Sequence, residues 1–212
     1  MTERRVVVTG MGVLSPIGKN PDEFWDAMAA CRNGISRITA FDPSEFAAQI
    51  AGEIKDFDPA QYLDRKQAKR MDRFCQLGVA AAKQAIENSG LDLEKEDCTR
   101  IGVYASSGIG GLNTIEKQHQ ILLEKGPSRV SPLLVPMMII NLLPGQIAMI
   151  HGLKGPNLSS DCLRHLLPFH WGGPLGHPER DGGCHGLRRR GGVHDQARIG
   201  RVLFDEGALN PQ

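Results

Sequence analysis

Hydrophobic and polar positions alternate in recognisable periods over the first 160 residues and lose all period after them. Arg5-Val-Val-Val-Thr9 is a β-branched run that ends in glycines, and it predicts a buried strand. Asn20 suits an N-cap, Pro21 the first helical position, and Glu23 the positive end of a helix. Phe24, Trp25 and Met28 then recur at helical spacing, and Gly34 is the expected close of that helix. Residues 36 to 60 mix Pro, Asp and single aromatics, which predicts irregular structure with one short strand near Ile50. Asp64 to Ser89 reads as one long helix, charged at first and then small and apolar from Leu77 to Ala82, so that its second part belongs in a core; Gly90 ends it. Arg100-Ile-Gly-Val-Tyr-Ala105 predicts a second strand, and Ser106 to Leu112 a glycine turn leading into another helix. Ser131 to Ile150 is apolar and interrupted by Pro132, Pro136 and Pro144. Strands alternating with helices indicate α/β architecture.

Composition sharpens the break near residue 160. Residues 1 to 160 carry nine Lys and nine Arg, whereas residues 161 to 212 carry seven Arg and no Lys, with five of the seven His and ten of the 25 Gly. Asp181-Gly-Gly-Cys-His-Gly-Leu-Arg-Arg-Arg-Gly-Gly192 follows neither a helical nor a strand period and offers no face to bury. The expected organisation is a folding-competent part over 1–160 and an irregular or disordered tail over 161–212. A formal net charge of +1 makes no global field for nucleic acid or an anionic membrane. No apolar run reaches the roughly 18 residues of a membrane span. Five cysteines without regular spacing do not make a disulfide framework, and glycines break the first apolar run before any cleavage signal. A soluble, reducing, cytoplasmic setting is expected.

Several motifs invite a chemistry and favour a plainer role. Gly10-Met-Gly12 follows a predicted strand, but Ser15 stands where a dinucleotide fingerprint needs its third glycine, so a tight turn with close backbone approach is expected. Gly108-Ile-Gly-Gly111 lacks the Lys-Ser/Thr of a phosphate loop. Cys162, His165, His170, His177, Cys184, His185 and His194 show no finger spacing, so no metal site is assigned. Arg188-Arg-Arg190 is a poor footprint for nucleic acid. Cys31, Cys75 and Cys98 read as structural or incidental, with Cys75 a small buried hydrophobe in a helix.

Five segments in one order carry a resemblance: Val6-Val-Val-Thr-Gly-Met-Gly-Val-Leu-Ser-Pro-Ile-Gly18, Arg70-Met-Asp-Arg-Phe74, Gly102-Val-Tyr-Ala-Ser-Ser-Gly-Ile-Gly-Gly111, Val135-Pro-Met-Met138 and Gly152-Leu-Lys-Gly-Pro-Asn-Leu-Ser159. With them, residues 1–160 resemble the β-ketoacyl–acyl-carrier-protein synthases, most closely the type II members. The resemblance implies a thiolase-like fold, of which this chain would hold the first half only. It implies a homodimer, acyl carrier protein as partner in acyl and malonyl forms, and no cofactor. The implied reaction lengthens a fatty acyl chain by two carbons. A cysteine thiolate, its pKa lowered by a helix N-terminus, takes the acyl group as a thioester. Malonyl carrier protein then loses carbon dioxide, and the enolate attacks that thioester while histidines and backbone N–H groups stabilise the oxyanions. Gly108 and Ile109 would lie where the acyl pocket meets the dimer interface.

The chain departs from the family after Ser159. The family continues into Thr-Ala-Cys-Ala-Thr, whose Cys is the nucleophile; here Ser159-Ser-Asp-Cys-Leu-Arg-His165 follows, and Cys162 is out of motif register. Leu142-Leu-Pro144 also replaces small family residues, which weighs against a helix there. Back-translating the tail and reading it one base later offers an explanation of the first departure. From Asp161 the shifted frame permits Thr-Ala-Cys-Ala-Thr-Ser-Ser-His-Ser-Ile-Gly-Glu-Ala, the Gly being forced by Trp171 followed by Gly172. The expected explanation is a small insertion or deletion near codon 160, which would make residues 161–212 out-of-frame translation and leave the chain without an in-frame nucleophile, hence inactive. Two other classes compete: a non-catalytic partner subunit like the chain-length factors of polyketide assembly, and a metal-binding or nucleic-acid-binding adaptor formed by the His/Cys/Arg tail.

Overall fold

The computed structural model describes residues 6–159. Its centre is α3 (Arg73–Ser89), whose Gly78, Val79, Ala80, Ala81, Ala82 and Ala85 are all buried. Small side chains on this helix let other backbone come close. Gly10 and Gly12 lie against it, where a Cβ would stand 2.3 Å from the Ala85 carbonyl oxygen and 2.0 Å from that of Ala81. The close approach expected of these glycines thus has a helix as its object. The turn itself comes later, where Ser15 and Gly18 bridge. Asn88 and Gln84 of α3 hold the strip between the glycines and that turn, their side-chain oxygens accepting from the Met11 and Val13 amides at 3.0 and 3.1 Å.

The predicted strand over Arg5–Thr9 is corrected. Residues 6–9 enter no strand, and Val6, Val7 and Val8 are 59–63% exposed. A β-branched run is a strand only when a partner takes its N–H and C=O groups, and none among the described residues does.

α1 (Pro21–Ala29) starts as expected, with the Asn20 side chain accepting from the Glu23 amide at 2.8 Å. It ends five residues before Gly34, and Cys31 then takes a positive φ of 51°. Trp25 and Met28 are exposed and only Ala27 is buried, so its apolar stripe lacks cover among the described residues. The irregular segment that follows is an antiparallel hairpin: β1 (Ile35–Arg37) pairs with β2 (Ile50–Gly52), Ser36 opposite Ala51. The strand near Ile50 was expected; its partner was not.

The single helix predicted over Asp64–Ser89 is two. α2 (Arg65–Ala68) has Asp64 as N-cap, and α3 begins afresh with Asp72 as N-cap in extended backbone, φ −69° and ψ 163°. Two Asp residues that hydrogen-bond their own downstream amides each restart the helix. Gly90, with φ 66°, closes α3 as predicted.

The second predicted strand shrinks to β3 (Val103–Tyr104), which pairs in parallel with β4 (Asn157–Leu158). α4 (Leu112–Lys125) follows the glycine turn, then come α5 (Leu134–Met138) and α6 (Leu142–His151). Pro144 does not break α6. It is the third helical residue, where an amide has no intrahelical acceptor to lose, and its ring is fully buried. The main core joins Phe74, Cys75, Val79 and Ala82 of α3 to Leu143 and Ile147 of α6, with Leu63, Met71 and Ala105 around them.

Candidate functional site

The turn that carries Gly108 and Ile109 is built on both sides by backbone contact. It leaves β3 through buried Ala105 and Ser107. The Ser107 hydroxyl accepts from the Gly110 amide at 3.1 Å and closes the loop on itself. Gly110 has φ 87°, a conformation open to glycine, and a Cβ there would stand 2.4 Å from the Met138 carbonyl oxygen. At Gly111 the corresponding distance is 2.3 Å to the Met137 carbonyl oxygen, and the Gly111 amide donates to Met138 at 3.0 Å. The two glycines are therefore a seam along which α5 presses on the start of α4. Between these fixed points Gly108 and Ile109 stand out, with the Ile109 side chain 63% exposed. An apolar side chain so placed on a rigid turn can line an apolar surface that something else completes.

A second seam joins this turn to the segment before residue 160. Gly155 lies against Ile101, where a Cβ would be 2.5 Å from the carbonyl oxygen, and Gly102 lies against Pro156 at 2.7 Å. The Gly155 amide donates to Ile101 at 3.0 Å, Val103 to Pro156 at 2.8 Å and Ala105 to Leu158 at 3.3 Å. The Asn157 side-chain amide donates to the Pro144 carbonyl at 3.0 Å and ties β4 to the first turn of α6. Because β3 and β4 are parallel, with Val103 opposite Asn157 and Tyr104 opposite Leu158, the Ser106–Gly111 turn and Ser159 leave the pair at the same carboxyl end. Open α/β folds place their chemistry beyond the carboxyl ends of parallel strands.

Beneath the turn, Asp72 and Thr114 are buried together. The Asp72 carboxylate accepts from the Thr114 amide at 3.2 Å and from the Thr114 hydroxyl in a short hydrogen bond. Cys75 lies one turn into α3; burial first, and the Asp72 charge second, push its thiol up to about 12. It packs in the core against Phe74 and Val79, the small buried hydrophobe that its helical context suggested. Cys31 is exposed and Cys98 half-buried. Among the described residues no group of three His, Cys, Asp or Glu side chains is placed to hold a metal ion. Also among them, no helix is long and apolar enough to cross a membrane. Cys162 and the His/Cys/Arg tail lie outside the described residues.

Sequence reasoning found the turn but missed what holds it: Asp72, Thr114, the Met137 and Met138 carbonyls, and Asn157. One signal was available. Asp72 is an N-cap residue type two positions before Phe74, a helix-start mark inside the apparently continuous helix.

Residues 3–162 match the model of the β-ketoacyl synthase N-terminal domain, and the chain belongs to that family. Among curated proteins, 3-oxoacyl-[acyl-carrier-protein] synthase 2 of Vibrio cholerae is 49% identical over 168 residues, covering 78% of this chain and 41% of that protein. The Synechocystis protein of the same name is 50% identical over 157 residues, covering 74% and 38%. The chain thus spans about two fifths of the length of these relatives. Among solved structures, the ishigamide ketosynthase/chain length factor superposes with a TM-score of 0.68 at 28% identity, covering 74% of this chain and 40% of that one. A β-ketoacyl synthase from Burkholderia phymatum gives 0.61 at 25%, with 74% and 40% covered. The fold class is the thiolase-like α/β fold of these ketosynthases.

Proposed function

We propose that the gene specifies a fatty-acid condensing enzyme, a 3-oxoacyl-acyl-carrier-protein synthase, of which residues 1–160 are the N-terminal part. The observation that carries this is the parallel register of β3 and β4. By that register the Ser106–Gly111 turn and Ser159 leave the strand pair at the same end, which supports the reading. In that enzyme the acyl group sits as a thioester on cysteine, with its chain toward Gly108 and Ile109, and the malonyl-derived enolate attacks it. Acyl carrier protein delivers both substrates. A type II polyketide ketosynthase solved in complex with its acyl-carrier protein, 25% identical to this chain, supports that partner. A homodimer in the cytoplasm completes the reading.

The chain as it stands is inactive on this reading, because residues 161–212 arise from a shifted frame. Two observations support the shift: the compositional break at 160, and a family match that ends at residue 162. Similarity to the ishigamide ketosynthase/chain length factor supports, as a second reading, a non-catalytic partner subunit. The decisive experiment reads the bases around codon 161. It then compares this chain with one whose frame is restored by a single-base change, using acyl- and malonyl-carrier protein as substrates. The expected result is no product from the 212-residue chain, and an acyl-thioester plus 3-oxoacyl product from the restored one. Bases that do not spell Thr-Ala-Cys-Ala in the next frame, or a fatty thioester on Cys162 of the unaided chain, overturn the reading. A restored chain with another residue in place of the cysteine supports the partner subunit.

A further inference from the structure

We propose that Asp72 is a helix cap shared between two helices, closing the N-terminus of α3 in place and that of α4 from across the fold, and that it thereby positions the Ser107–Gly111 turn. α4 needs an outside cap. Its N-cap residue is Gly111, which has no side chain to accept from the first amides. No Ser, Thr or Asp can replace that glycine, because a Cβ at the position would lie 2.3 Å from the Met137 carbonyl oxygen. The seam with α5 and a local cap are therefore sterically exclusive, and the orphan amides of α4 must find an acceptor elsewhere.

Asp72 is that acceptor. One carboxylate oxygen takes the Phe74 amide of α3 at 3.4 Å. The other takes both the amide and the hydroxyl of Thr114, the third residue of α4. Asp72 is only 7% exposed, and among the described residues it forms no ion pair. The positive ends of two helices, 17 and 14 residues long, stand where a buried carboxylate would otherwise need a cation. Thr114 is the one buried residue of α4, so this bond and the α5 seam are what locate the start of that helix. The cap rests on these contacts alone. Its bearing on the acyl end rests on the condensing-enzyme reading, which the base sequence tests separately.

Residue-resolved amide hydrogen exchange on the full 212-residue chain tests it, with Asp72→Ala, Asp72→Asn and Thr114→Val. In Asp72→Ala the amides from Gly111 to Ile115 are expected to exchange about tenfold faster relative to the core amides of α3 and α6, the factor that follows from losing one cap. Asp72→Asn, which keeps one acceptor oxygen, should recover part of the protection. Thr114→Val leaves the α3 cap and the Thr114 amide bond in place and removes only the hydroxyl bond, so it should accelerate the α4 amides by less than Asp72→Ala does and leave those of α3 unchanged; that pattern also decides the matter if Asp72→Ala does not fold. In the double variant the two effects should not multiply. Uniform acceleration across the chain in Asp72→Ala, α4 exchange there no faster than in the parent, or acceleration of α3 as large as that of α4 in Thr114→Val would overturn the proposal.

Discussion

Replacing Gly111 by alanine tests the seam between α4 and α5. The added Cβ would stand 2.3 Å from the Met137 carbonyl oxygen and 3.1 Å from both its carbon and the Met138 Cα, against an ordinary contact of 3.4 Å or more. Because the obstacle is backbone, no rotamer change relieves it, and α5 must retreat by about 1 Å. That retreat stretches the 3.0 Å bond from the Gly111 amide to Met138, at a cost of about 0.5–1.5 kcal/mol. Overpacking adds about 1–3 kcal/mol. The sum, about 1.5–4.5 kcal/mol, is a large part of the roughly 5–15 kcal/mol that holds a typical domain folded. Gly145→Ala is the control. Gly145 lies inside α6 and a Cβ there meets nothing within 4 Å, so alanine should stabilise by about 0.5–1 kcal/mol through helix propensity. Urea unfolding at constant m-value reads both changes as opposite shifts of the midpoint. A Gly111→Ala chain as stable as the parent would refute the seam, and equal losses in both variants would show that α6 tolerates alanine no better than the turn does.

Three further outcomes follow from the same packing. Leu143→Ala, at a side chain 1% exposed between α3 and α6, should cost about 2–5 kcal/mol in urea unfolding, since the surrounding helices can close the void only in part. At pH 8 a maleimide should label Cys31 and spare Cys75 until urea unfolds the chain, as peptide mass mapping would reveal; with the Cys75 thiol near 12, its thiolate is on the order of one in ten thousand. His151 is held below its ordinary 6.5 by burial first and by the Lys83 charge second, with the Glu87 charge opposing. The unfolded chain therefore takes up the proton more readily, so stability present above pH 6.5 is lost as pH falls below it; the urea midpoint should drop less between pH 7.5 and 5.5 in His151→Gln than in the parent, and equal drops would contradict this.

Local chemistry was legible where one residue settles one contact. Asn20 and Pro21 announce the start of α1, Gly90 the end of α3, and the small run Leu77–Ala82 a helix meant for close packing. Five short segments in order were enough to indicate the family and the turn at Gly108 and Ile109, because glycines at backbone seams leave a mark that does not depend on the rest of the fold. Pairing was not legible. Val6–Val8 has the composition of a buried strand and lies exposed, β1 finds its partner across a loop that composition marked only as irregular, and Pro144 sits harmlessly in the one turn of a helix that spares its missing amide.

Residue order by itself determined which segments could become helices, where the glycines had to lie, and that residue 160 divides two kinds of sequence. Only the tertiary structure decided that Asp72 interrupts a helix in order to reach Thr114, and that the turn and Ser159 share the carboxyl end of one strand pair. The physical reason is distance along the chain. A cap or a glycine acts on neighbours a few residues away, whereas Asp72 and Thr114 are 42 residues apart and meet only after α3, β3 and α4 have been packed.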